Sequence, residues 1–189
     1  SMIKHFSLGL LAAALSTSVL ADTYKLDPDH TNARFSIAHF GTSTNHGGFY
    51  NIEGDLQLDA AKGTGQLKIE IPTDSVQTGN AAFDGHMKSA ELLNVEEYPT
   101  MTFESTAWTF ENNAPQSMTG NLTLMGKTNP VTLNAENFNC YESPMFDNAT
   151  VCGGDFSATI DRTQWGLDLF LGPIPAEVHL NIQVEAIKQ

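Results

Sequence analysis

The sequence predicts an all-β protein of about eight antiparallel strands, stacked as a sandwich or closed into a barrel, with one short helical insertion across residues 79–98. Three observations predict it. Apolar residues alternate with polar ones at period two in eight successive runs, the signature of half-buried strands. Short clusters rich in Gly, Pro, Asn and Thr separate the runs, and connections this short favour antiparallel neighbours. One segment alone, "GNAAFDGHMKSAELLNVEEY", abandons the alternation for helix formers and stops at Pro99.

Phe35, Ile37 and His39 share one face of the first run, and Ile52, Leu56 and Leu58 one face of the second. Between them lies "HFGTSTNHGGFYNIEG". There Gly47-Gly48 offer the backbone freedom of a turn or bulge, His46 faces water, and Phe49 re-enters the strand. Leu67, Ile69 and Ile71 alternate with Gln66, Lys68 and Glu70. Met101 and Phe103 open the fourth run. Trp108 and Phe110 continue it with shifted parity, so a bulge is expected between 105 and 107. Met118, Leu122 and Leu124 follow, then Val131 and Leu133, then Phe156, Ala158 and Ile160, and last Val178, Leu180, Ile182 and Val184. Turns are expected at 59–65, 112–116, 126–130 and 171–175.

Of 189 residues, 9 are Lys or Arg and 22 Asp or Glu, a formal charge of -13. A chain this acidic lacks the basic face that nucleic acid or an anionic surface requires, so no nucleic-acid partner is expected. Residues 1–21 read as a secretory signal peptide: Lys4 and His5, a short apolar run, then Val19-Leu20-Ala21 before the cut. Ser1, ahead of Met2, reads as an expression-vector remnant. Residues 22–189 are then one exported domain. Cys140 and Cys152 are the two cysteines, and export favours a disulfide between them over two buried thiols.

Four motifs, in order and spread over nearly all of 22–189, resemble the YceI-like proteins. They are "YKLDPDHTNARFSIAHFGTSTNHGGFYNIEGDLQLD", "IEIPTDSVQTGNAAFDGHMKSAELLNVEEYPTMTFES", "GNLTLMGKTNPVTL" and "FSATIDRTQWGLD". The resemblance implies an eight-stranded antiparallel lipocalin-like β-barrel with the helical insertion at about 79–98. It implies a lumen for an isoprenoid or fatty-chain amphiphile, carried or sequestered in the periplasm, and a stress-response role. It implies no catalysis and no required cofactor. A homodimer is the assembly it suggests, and a carrier of such a lipid is expected to touch the membrane transiently for ligand exchange. The sequence departs from the pattern in a longer Cys140–Cys152 insert and a polar stretch at 42–46, both expected to shape the barrel mouth.

With that resemblance, the inward apolar positions become lumen candidates: Phe35, Ile37, Phe49, Ile69, Ile71 and Phe103 on the first strands, Leu122, Phe156 and Ile160 on the later ones. Phe83, Met87 and Leu92 come from the helical piece, and Trp165 and Leu167 from the irregular segment before the last strand. Ordinary core is the competing reading of each. His39 continues the Phe35/Ile37 face, and His86 lies near Asp84 and Lys88, so these two are the candidates for a polar head group. Arg162 is expected to pair with a carboxylate at a barrel end that Trp165 plugs. No metal site is expected, because no H-x-H or H-E-x-x-H spacing occurs, and no catalytic residue is assigned, because no nucleophile–base pairing is visible. A metal-binding barrel, or a structural barrel with a packed core, is the alternative.

Overall fold

The computed structural model describes residues 21–189; the expected signal segment, up to position 20, lies outside the described residues. The strands are β1 (Asp22–Leu26), β2 (Asn32–His39), β3 (Ser43–Phe49), β4 (Glu53–Asp59), β5 (Thr64–Pro72), β6 (Val76–Gln77), β7 (Thr100–Glu111), β8 (Ala114–Leu124), β9 (Lys127–Ser143), β10 (Ala149–Asp161) and β11 (Glu177–Lys188). The helix α1 (Ala81–Lys88) stands between β6 and β7.

Six of these strands are three long paths broken by kinks. β1 and β2 both pair with β11, β3 and β4 continue one another along that path, and β5 with β6 runs along the far side of them. The protein is therefore a closed barrel of eight antiparallel paths in simple up-and-down order, sealed where Tyr24 lies opposite Lys188 and Leu26 opposite Ala186. Closure leaves no long unpaired edge around the ring. The eight apolar runs of the sequence fall one on each path.

The kinks have local causes. Between β1 and β2, Asp27 accepts a hydrogen bond from the Asp29 N–H at 3.0 Å and holds the turn Pro28–His30, while Thr31 Oγ1 donates to the Glu185 carbonyl. Between β5 and β6, Thr73 Oγ1 donates to Tyr98 O at 2.7 Å and the Thr73 N–H to Pro99 O, which ties this kink to the segment after α1. The bulge expected in β7 is present between Ser105 and Ala107. It removes a ladder partner, and the buried Ser105 hydroxyl replaces it, accepting from the Leu67 N–H at 2.8 Å and from Trp108 Nε1 at 3.0 Å.

Three expected turns differ: the one at 112–116 closes at 112–113, with Ala114 and Pro115 already in β8, and two others are displaced. The first hairpin turns at 40–42, where Phe40 and Gly41 have φ of 52° and 61°, not at Gly47-Gly48. Those glycines lie inside β3, opposite Phe35 and Arg34. The β8–β9 turn is tighter than expected: Met125 and Gly126 carry the positive φ values, and Pro130 already belongs to β9, opposite Asn121.

The registers set two barrel ends. One end holds the turns at 60–63 and 112–113 and the segment Pro144–Phe146, and is packed with Tyr24, Leu56, Leu58, Leu67, Met118 and Cys152. The other carries the turn at 40–42, the helical insertion and residues 162–176. The disulfide Cys140–Cys152 joins directly opposed residues of β9 and β10 at the packed end, near the Tyr24 hydroxyl. The expectation that this insert shapes the mouth is thereby corrected, whereas the polar stretch at 42–46 does stand there.

Candidate ligand-binding cavity

Above the packed end the barrel is hollow. A cavity of about 540 Å³ occupies its upper half. That is within the range of about 300–1,000 Å³ typical of small-molecule sites. The sequence explains why the wall faces space rather than side chains. Phe35, Ile37, Leu122, Ile160 and Leu180 have the parity of core residues, yet each remains only half-buried. Small residues at facing positions deepen the space: Ala33 lines it, and Gly47 leaves room for the Phe35 ring.

Fourteen of the sixteen lumen candidates line this cavity. Phe35, Ile37, His39 and Phe49 come from β2 and β3, Ile69, Ile71 and Phe103 from β5 and β7, and Leu122 and Ile160 from β8 and β10. Phe83, His86, Met87 and Leu92 cover it from the helical insertion, and Leu167 from the segment before β11. The other two do not line it. Phe156 is buried in the core cluster, and Trp165 is fully buried with Nε1 donating to Leu122 O at 3.0 Å. Trp165 thus packs into the wall rather than the lumen.

Two polar residues anchor the helical insertion as the upper cover. Asn80 caps α1 by accepting from the Phe83 N–H at 3.0 Å. Asp84 accepts from both the N–H and the hydroxyl of Thr78, at 2.7 and 2.6 Å. Phe83, His86 and Met87, spaced i, i+3, i+4, then share the face turned to the cavity.

Sequence reasoning missed several wall residues. Ile52, Leu93, Met101, Leu124, Val131 and Leu133 line the cavity and carried the signal of strand parity or helix spacing. Phe40, Leu169, Phe170 and Ile174 also line it but sit in turns, where no periodicity marks the inward side.

Polar side chains are few in the lining: Thr31, Arg34, His39, Asn45, His86 and Arg162. His39 lies against Phe40 with ring centroids 4.7 Å apart, and His86 stacks on Phe83 at 6.5 Å. Among the described residues the side-chain hydrogen bonds to imidazoles involve His30 and His179, not His39 or His86. Arg162 does not pair with a carboxylate as expected. Its Nε, Nη1 and Nη2 groups donate to the carbonyls of Pro175, Leu167 and Ile174 at 2.8, 2.8 and 2.9 Å. Burial lowers the pKa of this guanidinium, with Asp168 and Asp161 acting in the other direction. Three carbonyls of one segment therefore converge on a single buried cation and fix residues 167–175 over the mouth. Among the described residues no group of three His, Cys, Asp or Glu side chains is placed to hold a metal ion, and no helix is long and apolar enough to cross a membrane.

Such a cavity can bury an apolar chain, and the imidazoles of His39 and His86 stand among its lining residues. The comparisons agree with the architecture. A family profile described as YceI-like domain matches residues 24–186. A "UPF0312 protein" of Pseudomonas aeruginosa is 36% identical over 184 residues, covering 95% of each chain. Among solved structures, the Campylobacter jejuni YCEI protein superposes with a TM-score of 0.68 at 22% identity, covering 99% of both chains. A polyisoprenoid binding domain from Saccharophagus degradans superposes at 0.62 and 14% identity, over 90% of this chain and 100% of that one. With the profile spanning the whole barrel and relatives above 30% identity at full length, this chain belongs to the YceI-like family.

Proposed function

We propose that the protein binds a long-chain amphiphile in the barrel cavity and carries or sequesters it in the periplasm. The first ligand class is an isoprenoid quinone or polyprenyl compound, and the second a fatty acid or its amide. The observation that carries this is the cavity itself: about 540 Å³ walled mainly by Phe, Leu, Ile, Val and Met, with Thr31, Arg34, His39, Asn45, His86 and Arg162 as its polar side chains. Burying a chain there is favourable by about 0.8 kcal/mol per CH₂, so affinity needs depth and shape rather than a polar constellation. The polyisoprenoid binding domain with the same barrel supports the isoprenoid class. The disulfide and the signal-like residues 1–21 support export. His39 and His86 are the side chains placed to meet the polar end of the ligand.

The test is mass spectrometry of lipids extracted from gently purified protein. A stoichiometric prenyl or acyl compound is expected. Absence of any co-purified amphiphile, together with no binding of prenyl or acyl probes, would refute the carrier reading.

A further inference from the structure

Three of the large apolar side chains exposed on this protein gather at the mouth: Phe40 (54% exposed), Phe170 (60%) and Leu171 (51%). Phe40 and Phe170 both have φ of 52°, the left-handed region that Gly or Asn adopts readily and an aromatic residue rarely does. The strain is held by one bond between the two loops and one within the second. The Phe40 N–H donates to Pro173 O at 2.9 Å, and the Ile174 N–H to Phe170 O at 3.0 Å. Arg162, through the carbonyls of Ile174 and Pro175, anchors the same segment.

The apolar surface does not stop at the rim. Phe40, Leu169, Phe170 and Ile174 are also walls of the cavity, so one continuous apolar surface runs from the lumen to the exposed turns. Neither 40–42 nor 166–176 contains a Lys or Arg; Asp168 is their one charged residue. Lys127 Nζ stands beside Gly166 and α1 ends in Lys88, but the exposed tips of the two segments are apolar, so insertion of apolar side chains is the contact they offer.

We propose that this rim docks on the surface of a lipid bilayer, with the mouth facing the membrane, so that the ligand chain passes between bilayer and lumen without crossing water. The proposal rests on the carrier reading, because only an insoluble chain needs such a path. A solvated entrance would require each methylene to cross water, whereas the Phe40–Phe170 rim offers an apolar route throughout. The left-handed aromatic positions then have a use that a Gly or Asn turn would not serve: they hold rings outward at the membrane interface.

The test is co-sedimentation of the protein with phosphatidylcholine vesicles, comparing wild type with Leu171→Asp. Leu171 is on the rim but not in the cavity wall, so binding of a fluorescent polyene fatty acid in vesicle-free solution reports the lumen separately. Wild type is expected to sediment with neutral vesicles, with little change on raising salt. Leu171→Asp is expected to weaken partition about tenfold or more, on the scale of one lost apolar side chain, with the fatty-acid probe bound as before. Probe binding without vesicle partition, or equal partition of the two proteins, overturns the docking and leaves the carrier reading standing. Failure of both proteins to bind prenyl and acyl probes overturns the carrier reading and the docking with it. A dimer of wild type in sedimentation velocity that Leu171→Asp dissociates assigns the rim to a second copy of the chain and also overturns the proposal.

Discussion

The ring of Phe35 lies over Gly47, its cross-strand partner, so closely that a Cβ at position 47 would stand 2.4 Å from Phe35 Cζ. The atom in the way is the far end of a side chain that faces open space. In Gly47→Ala the ring is expected to swing into the lumen, at a stability cost under about 1 kcal/mol, and to reduce the bound lipid. Gly154 supplies the contrast: there the added Cβ would stand 2.0 Å from the backbone oxygen of Asn137, which cannot swing away. Gly154→Ala is expected to cost about 3 kcal/mol or more. Urea unfolding of the two variants checks the order, and equal losses would contradict it.

The same glycines show what sequence could and could not reveal. Period two placed all eight paths and most of the cavity wall, because barrel strands alternate strictly between inside and outside. Gly47-Gly48 looked like a turn because glycine is permissive there, yet this pair serves close approach of aromatic rings: Phe35 over Gly47 and Tyr50 over Gly48. The true turn uses Phe40, a residue that no turn rule selects. Arg162 suggested a carboxylate partner, since charge is legible in sequence and the direction of backbone carbonyls is not. The hollow interior was legible only through resemblance, because alternation is the same in a filled barrel and an empty one.

Arg162 holds the mouth segment through three carbonyls. Arg162→Met keeps much of the buried volume but leaves those acceptors unpaired, so a loss of about 2–4 kcal/mol is expected. Arg162→Lys should recover little, because an ammonium on one stem cannot reproduce the planar fork. Amide hydrogen exchange is the discriminating measurement: protection should fall first at 167–176. Uniform loss across the barrel would argue against a local tie.

His30 links the β1–β2 kink to pH. Its pKa is raised above the ordinary 6.5, first by the hydrogen bond to Asp27 at 2.8 Å, then by the charges of Glu185, Asp27 and Asp29, against some desolvation. A raised folded-state pKa adds stability that is complete below the unfolded value and is lost as pH rises through the folded one. The stability gap between wild type and His30→Asn should therefore be wider at pH 5.5 than at pH 8.5. With the imidazole 42% exposed, solvent screening keeps the difference under about 1 kcal/mol. A gap that widens with pH would reverse the assignment.

Reduction of Cys140–Cys152 should separate stability from binding. The bond closes a loop with a sequence separation of 12 at the packed end, away from the cavity wall. Dithiothreitol is expected to lower stability by about 2–3 kcal/mol. Probe binding below the melting transition should not change. Loss of binding in the still-folded, reduced protein would mean that the packed end shapes the lumen.

A bulky substitution in the wall distinguishes a working lumen from an incompletely packed core. Ile160 points into the cavity from β10 and is only half-buried. In a filled barrel, Ile160→Trp would force neighbours off their rotamers and cost about 1–3 kcal/mol. In this barrel the indole enters about 540 Å³ of apolar space. Stability should then hold or rise, as it does when cavities are filled, while the room for a chain shrinks. The expected pair of results is an unchanged or higher melting temperature together with loss of co-purified lipid. Leu122→Trp, on β8, should repeat both results from a different part of the wall. A variant that melts lower yet still retains lipid would show that the ligand lies elsewhere, because displaced packing and an unblocked lumen cannot both arise from an indole placed in this cavity.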